Sequence, residues 1–302
     1  MENIYELYTP EQLEMIHNSD HYTMFYAILG QQLIDELGVE GESALREATR
    51  RYGKDRGAYR RQRHLDANVK INMKNLFSIG SDLPADPRFH GDQLRLIPEE
   101  RNTHTLRCPM AELWIDEGYQ YVGRLYCEEF HPACYSSYAF GYTKVGLAKT
   151  LTQKGDEYCA FNIVLRQEDL PEELKPVCFE HYDPYYTGQT KSIPKAEAKT
   201  GFNLLTLRVY YYMVEVVRER FGPEGIEALS HGLEKAAVYA ADHLKLAAQA
   251  MNKPLDVAFA DANYPLYWNP DEDPVWEQYN RHGAKELLKK EFYPVLRREL
   301  GL

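Results

Sequence analysis

Between Tyr126 and Ser137 the chain reads YCEEFHPACYSS, placing two cysteines, two adjacent glutamates and a histidine within twelve residues. A thiolate attacks electrophilic carbon, and a nearby imidazole can take the thiol proton or pass it to a leaving group. In that arrangement Cys127 is the nucleophile, His131 the proton shuttle, and Glu129, with Glu128 beside it, orients the imidazole or acts on a water. Pro132 lacks an amide hydrogen and suits the first position of a helix. The reading is therefore a strand ending near Cys127, a short acidic loop and a helix from Pro132, with Cys134 in its first turn, where free amides stabilise a thiolate. Taken singly, each residue has a blander use, because free cysteine is commonly a small buried apolar side chain and His131 can serve as a cap. A metal is the competing use of the cluster: Cys127, His131, Cys134 and the more distant Cys159 would make a tetrahedral zinc set. The chain has no C-x-x-C pair and no H-E-x-x-H, so no metal is assigned.

Tyrosine supplies a flat apolar wall with a hydroxyl at one end, and 24 of them are enough to line a pocket for a small polar ring. Tyr138 and Tyr142 are the expected substrate contacts, with Arg107 or Arg124 holding a carboxylate. Arg46, Arg50, Lys54, Arg56, Arg60, Arg61 and Arg63 form a basic stripe that reads first as a solvated face. No phosphate-cradling glycine loop, G-x-S-x-G elbow or dinucleotide fingerprint is present, so no cofactor is expected.

Apolar spacing over 22–37 predicts a helix stopped at Gly38, and a second helix fits 41–63 with Ser43 as cap. Gly53 and Gly57, four apart, allow another helix to approach closely. Residues 81–109 read as loop with one short strand, and 119–127 alternate as a strand. Residues 146–153 and 157–166 form a hairpin about Lys154-Gly155-Asp156, with Cys159, Phe161, Ile163 and Leu165 on one face. Helices are predicted over 203–221 and 223–250, and one or two more over 275–300, interrupted near Gly283 and Pro294. The segment 28–48 can be laid over 213–233 with an offset of 184, matching Gly38 to Gly222 and Gly41 to Gly225. The expected architecture is α+β: a central antiparallel sheet flanked by helices, with a repeated helical hairpin in the C-terminal part. The division is 1–166 as an α+β unit, 167–200 as a connecting segment, and 201–302 as a mainly helical part.

The chain carries 35 basic against 46 acidic residues, a net charge of −11 that disfavours a phosphate-backbone partner. It has no run of eighteen apolar residues, so no membrane span is expected. Five scattered cysteines and an N-terminus without signal-peptide character suit a cytoplasmic protein. The sequence permits a homo-oligomer.

The run GRLYCEEFHPACYSSYAFGYTK followed by TLTQKGDEYCAF resembles the L-2-amino-thiazoline-4-carboxylic acid hydrolase family. The shared features are Cys127, then Phe140-Gly141-Tyr142, then Gly155-Asp156, Cys159 and Phe161, with ALREATRRYGKDRG (44–57) similar to the family's N-terminal part. The resemblance covers roughly 20–166. His131 stands where the family pattern would carry an acidic residue, and the helices after 200 extend beyond it. The resemblance implies hydrolysis of a carbon–nitrogen bond in a small cyclic amidine or amide, as in opening a thiazoline ring. The expected function is such a hydrolase acting on a small-molecule substrate through Cys127 or an activated water. The alternative is a binding module of the sensor kind, without catalysis.

Overall fold

The computed structural model describes residues 4–302. In chain order the helices are α1 (Ile4–Leu7), α2 (Pro10–Asp66) and α3 (Met73–Ser78), followed by strands β1 (His90–Ile97) and β2 (Glu100–Arg107). Next come α4 (Pro109–Asp116), α5 (Gln120–Tyr138), β3 (Lys144–Lys149), β4 (Cys159–Val164) and α6 (Lys175–Cys178). The C-terminal helices are α7 (Ala198–Phe221), α8 (Pro223–Ala250), α9 (Val257–Asn263), α10 (Trp276–Tyr279), α11 (Ala284–Glu291) and α12 (Tyr293–Leu300). The α+β expectation holds: four strands in the order β1-β2-β4-β3, all antiparallel, lie among helices.

Helix α2 is the spine of the molecule and packs against α5, α7 and α8. It starts at a capping box in which Thr9 and Gln12 satisfy each other's backbone amides. It bends at Gly38, where φ 59° and ψ −137° break the helical path without ending it. Gly222, between α7 and α8, has nearly the same dihedrals, φ 58° and ψ −129°. Three residues on, a Cβ at Gly41 would sit 2.0 Å from the Leu33 carbonyl oxygen, and one at Gly225 would sit 2.8 Å from that of Val217. The offset of 184 thus superposes two helical corners of the same geometry, which only glycine at these positions can form. One buried core runs through α2, α5, α7, α8 and the inner face of the sheet, on both sides of the 167–200 connection.

Two elements differ from the sequence reading. The stretch 119–127 is not a strand but the first half of α5, and Pro132 lies inside that helix. The buried residues Val122, Leu125, Tyr126, Phe130, Cys134 and Tyr138 recur at helical spacing and face α2. Packing of that stripe overrides both the local alternation and the amide lost at Pro132. Cys134 therefore sits in the helix interior, away from the N-terminal amides invoked for it. Residues 90–107 form a hairpin of two eight-residue strands rather than loop. Strand β1 is exposed over most of its length, so its polar composition reflects an edge held by backbone pairing and carries no apolar alternation.

The expected hairpin at β3 and β4 is present. Cys159, Phe161 and Ile163 point inward, paired in register with Thr105, Thr103 and Arg101 of β2. This inner face stands opposite α5 and leaves a cavity between sheet and helices.

Candidate active site

Three elements deliver the chemical groups to one cavity of about 290 Å³. From α5 come Cys127, His131 and Cys134, one and two turns apart on a single face. From the sheet come Arg101, Cys159 and Phe161, and from α2 come Tyr22, Arg56 and Arg60. Helices α2 and α5 approach closely because Gly53 and Gly57 lie against the α5 backbone. A Cβ at Gly57 would stand 2.1 Å from the Cys134 carbonyl oxygen. The close approach expected of these two glycines is what sets α5 at this depth.

His131 is enclosed by aromatic rings, edge-on to Phe161 at 4.9 Å and near-parallel to Tyr135 at 5.7 Å between centroids. Burial, and then the charges of Arg56 and Arg101, push its pKa down to about 3, so the imidazole is neutral near pH 7. Its Nδ1 is buried and has no hydrogen-bond partner among the described residues. Burial likewise pushes the Cys127 thiol well above its ordinary range, with Cys108 raised to about 12 and Cys134 to about 11. Cys159 is also raised by burial, and its sulfur accepts the Leu151 amide at 3.3 Å. Asp156 of the same turn accepts the Thr150 amide at 2.9 Å. The Gly-Asp-x-x-Cys segment therefore closes the hairpin loop beside the cavity, with Asp156 as the turn residue expected of it.

The arginines distinguish this cavity from ordinary core. Arg56 pairs bidentately with buried Asp82, Nε–Oδ2 2.7 Å and Nη2–Oδ1 3.0 Å. Burial alone would raise the Asp82 carboxyl, but Arg56 and Arg60 override it and hold it well below the usual carboxylate range. Arg60 Nη2 donates to the Leu76 carbonyl, while its Nε, 3.4 Å from Asp82, is too poorly directed for a hydrogen bond and is left unpartnered. Arg101 lies over the Phe77 ring at 4.0 Å; its Nε is buried without a partner, and it makes no ion pair among the described residues. Neutral hydroxyls complete the lining, with Tyr22 hydrogen-bonded to Tyr126 at 2.8 Å and to Tyr52 at 3.0 Å.

Of the residues selected from sequence, Cys127 and His131 meet in this cavity. Glu129 does not: it accepts from Arg46 at 3.0 Å and Arg50 at 2.6 Å on the other side of α5. Tyr138 is buried against α2 with its hydroxyl 2.8 Å from His64 Nδ1, and Tyr142 packs half-buried on the core; neither lines the cavity. Arg107 pairs with Glu112 and Arg124 with Glu128, both at the surface. The arginines and tyrosines that line the cavity are instead Arg56, Arg60, Arg101, Tyr22, Tyr126 and Tyr135. Arg56 and Arg60 were visible in sequence as an i, i+4 pair flanking Gly57, on the face that the glycines mark as a contact. Arg101, in a polar strand, left no such signal. Cys127, His131, Cys134 and Cys159 share the cavity without bringing three ligand atoms within 4.8 Å. Among the described residues only Glu215, Glu219 and His282 do so, at the surface.

Between a helix-flanked antiparallel sheet and α5, the cavity brings together thiols, a neutral imidazole and three guanidinium groups. The model of the L-2-amino-thiazoline-4-carboxylic acid hydrolase family matches residues 18–191, more than half of the chain, and the chain belongs to that family. Every residue lining the cavity falls within the matched segment. Neither the curated proteins nor the solved structures gave a match. Among the described residues, no helix is long and apolar enough to cross a membrane.

Proposed function

We propose that the protein is a hydrolase that opens a C–N bond in a small cyclic amidine or amide bearing a carboxylate, and that the cavity between α5 and the sheet is its active site. The observation that carries the reading is that Arg60 Nε, Arg101 Nε and His131 Nδ1 are buried without partners around one hollow that also holds Cys127. Buried polar atoms are normally satisfied, and three orphans on residues that line one space fit a ligand with matching acceptors and a proton to give.

In this mechanism a substrate carboxylate pairs with the cavity arginines, and the ring carbon is held against Cys127. Neutral His131 takes the thiol proton as sulfur bonds to that carbon. The ring C–N bond breaks, and nitrogen leaves with the proton from His131. Water then attacks the same carbon, the C–S bond breaks, and the thiol regains its proton. Burial keeps Cys127 a thiol until the base acts. The bound carboxylate offsets the arginine charges that help to depress His131, so the base strengthens when substrate is present.

Binding without turnover is the competing reading, and the raised pKa of all four cavity thiols is the observation on its side. Ring opening of 2-amino-thiazoline-4-carboxylate, followed by loss of ultraviolet absorbance, decides between them. Turnover that Cys127→Ser removes supports the covalent route. Turnover that survives at full rate replaces it with water attack on the same carbon. No turnover, with the compound bound, leaves a binding module.

A further inference from the structure

The cavity is charged beyond what one carboxylate can balance. Arg56, Arg60 and Arg101 line it, and Asp82 is the one acid paired among them, which leaves two positive charges in an otherwise aromatic enclosure. The ion pair behind it, Arg208 with Asp55 at 3.0 Å, adds no net charge. Arg60 stands on α2 and Arg101 on β2, so the two guanidinium groups belong to different walls. Arg56 and Arg60 share the single charge of Asp82 and Arg101 has no acid partner among the described residues, and buried cations short of counter-charge are costly unless a ligand supplies it. The remaining wall is apolar, with Phe77, Phe130, Phe161 and Trp114. At ~30 Å³ per water, 290 Å³ holds roughly ten waters, which is room for a substituted ring.

We infer that the substrate carries two acidic groups on a small ring, one bound by Arg101 from the sheet and the other by Arg60 from the helix. This rests on the cavity being the substrate site, and it narrows the substrate class to dianions larger than a simple thiazoline monocarboxylate. Arg101 is then the residue that selects for the second acid.

Isothermal calorimetry on the intact chain at fixed ionic strength, with benzoate and benzene-1,3-dicarboxylate as probes, tests this. The dicarboxylate is expected to bind roughly tenfold tighter or more, the factor carried by a hydrogen bond to a charged group. Arg101→Met is expected to bring the two probes to the same affinity while benzoate binding persists. Equal affinities in the wild-type chain, an unchanged preference in Arg101→Met, or failure of both probes to bind at millimolar concentration would overturn the inference. Because the probes cannot be hydrolysed, this assay is independent of the hydrolytic reading. A dicarboxylate preference without ring opening of any cyclic amidine sinks the hydrolase and keeps the dianion. Full-rate opening of the thiazoline monocarboxylate with no dicarboxylate preference does the reverse.

Discussion

Replacing Gly57 with alanine sets two magnitudes against each other. In an open helix the change stabilises, because alanine exceeds glycine in helix propensity by about 1 kcal/mol. At this position the added methyl would lie 2.1 Å from the Cys134 carbonyl oxygen, 2.9 Å from Ser137 Cβ and 2.9 Å from the Tyr138 amide nitrogen. Two of the three neighbours are backbone, so relief comes only if α5 retreats from α2, by over an ångström to reach ordinary contact. Overpacking of this kind costs typically ~1–3 kcal/mol and here exceeds the propensity gain. Gly57→Ala should therefore destabilise, with each kcal/mol lowering Tm by roughly 2–4 °C in a domain of this order of size. The same retreat moves Cys127 and His131, and a misplacement near 1 Å can cost about a hundredfold in rate. Thermal unfolding and ring-opening kinetics read the two effects. Gly232→Ala in α8 is the control, since its methyl would meet its nearest neighbours at 3.3–3.5 Å. A Gly57→Ala protein as stable and as active as the control would refute the argument that these glycines set the depth of the site.

Cys127→Ala should abolish ring opening while leaving the unfolding midpoint within a few degrees, whereas Glu129→Gln should retain most of the turnover because its partners are Arg46 and Arg50. Asp82→Asn should destabilise by about 3–5 kcal/mol in denaturant titrations, because it strands Arg56 and Arg60 as buried cations. Acid should unfold the wild-type chain through several groups of the same sign, His131 and Asp82 among them, with His17, His21, His64 and His243 also depressed by burial. Unfolded histidine takes up its proton near pH ~6.5, whereas native His131 does so only at about 3, so stability falls as pH drops between those values. Asp82, depressed in the native state, contributes stability that is likewise lost as pH falls through the carboxylate range. His131→Phe should flatten the upper part of that dependence, and an unchanged profile would reject the neutral buried imidazole. Finally, if His131 is the base, the acid limb of kcat/KM in still-folded protein should lie well below the usual histidine range, and a limb near ~6.5 would assign the base elsewhere.

Much of the framework was legible from residue patterns. Gly38 and Gly222 announced equivalent corners because few residues tolerate that backbone, and Gly53 and Gly57 announced a helix contact because only a missing Cβ admits one. The Cys159–Leu165 alternation fixed the inward face of the hairpin. The misreadings have one cause: local pattern was outvoted by partners distant in the chain. The run 119–127 alternates like a strand yet is helical because α2 offers a surface for its 3.6-residue stripe. Arg56 and Arg60 looked like solvated charge, and Asp82 and the apolar enclosure bring them inside.

The chain alone thus specified the family, the closeness of a thiol and an imidazole along the sequence, and the glycines that let two helices touch. Those follow from short-range geometry, where spacing along the sequence is spacing in space. Only the tertiary structure decided that Glu129 and Tyr138 turn away while Arg60, Arg101 and Tyr22 turn in. Which side of an element is enclosed depends on surfaces contributed by residues dozens of positions away, and burial is what converts ordinary side chains into shifted and unpaired ones.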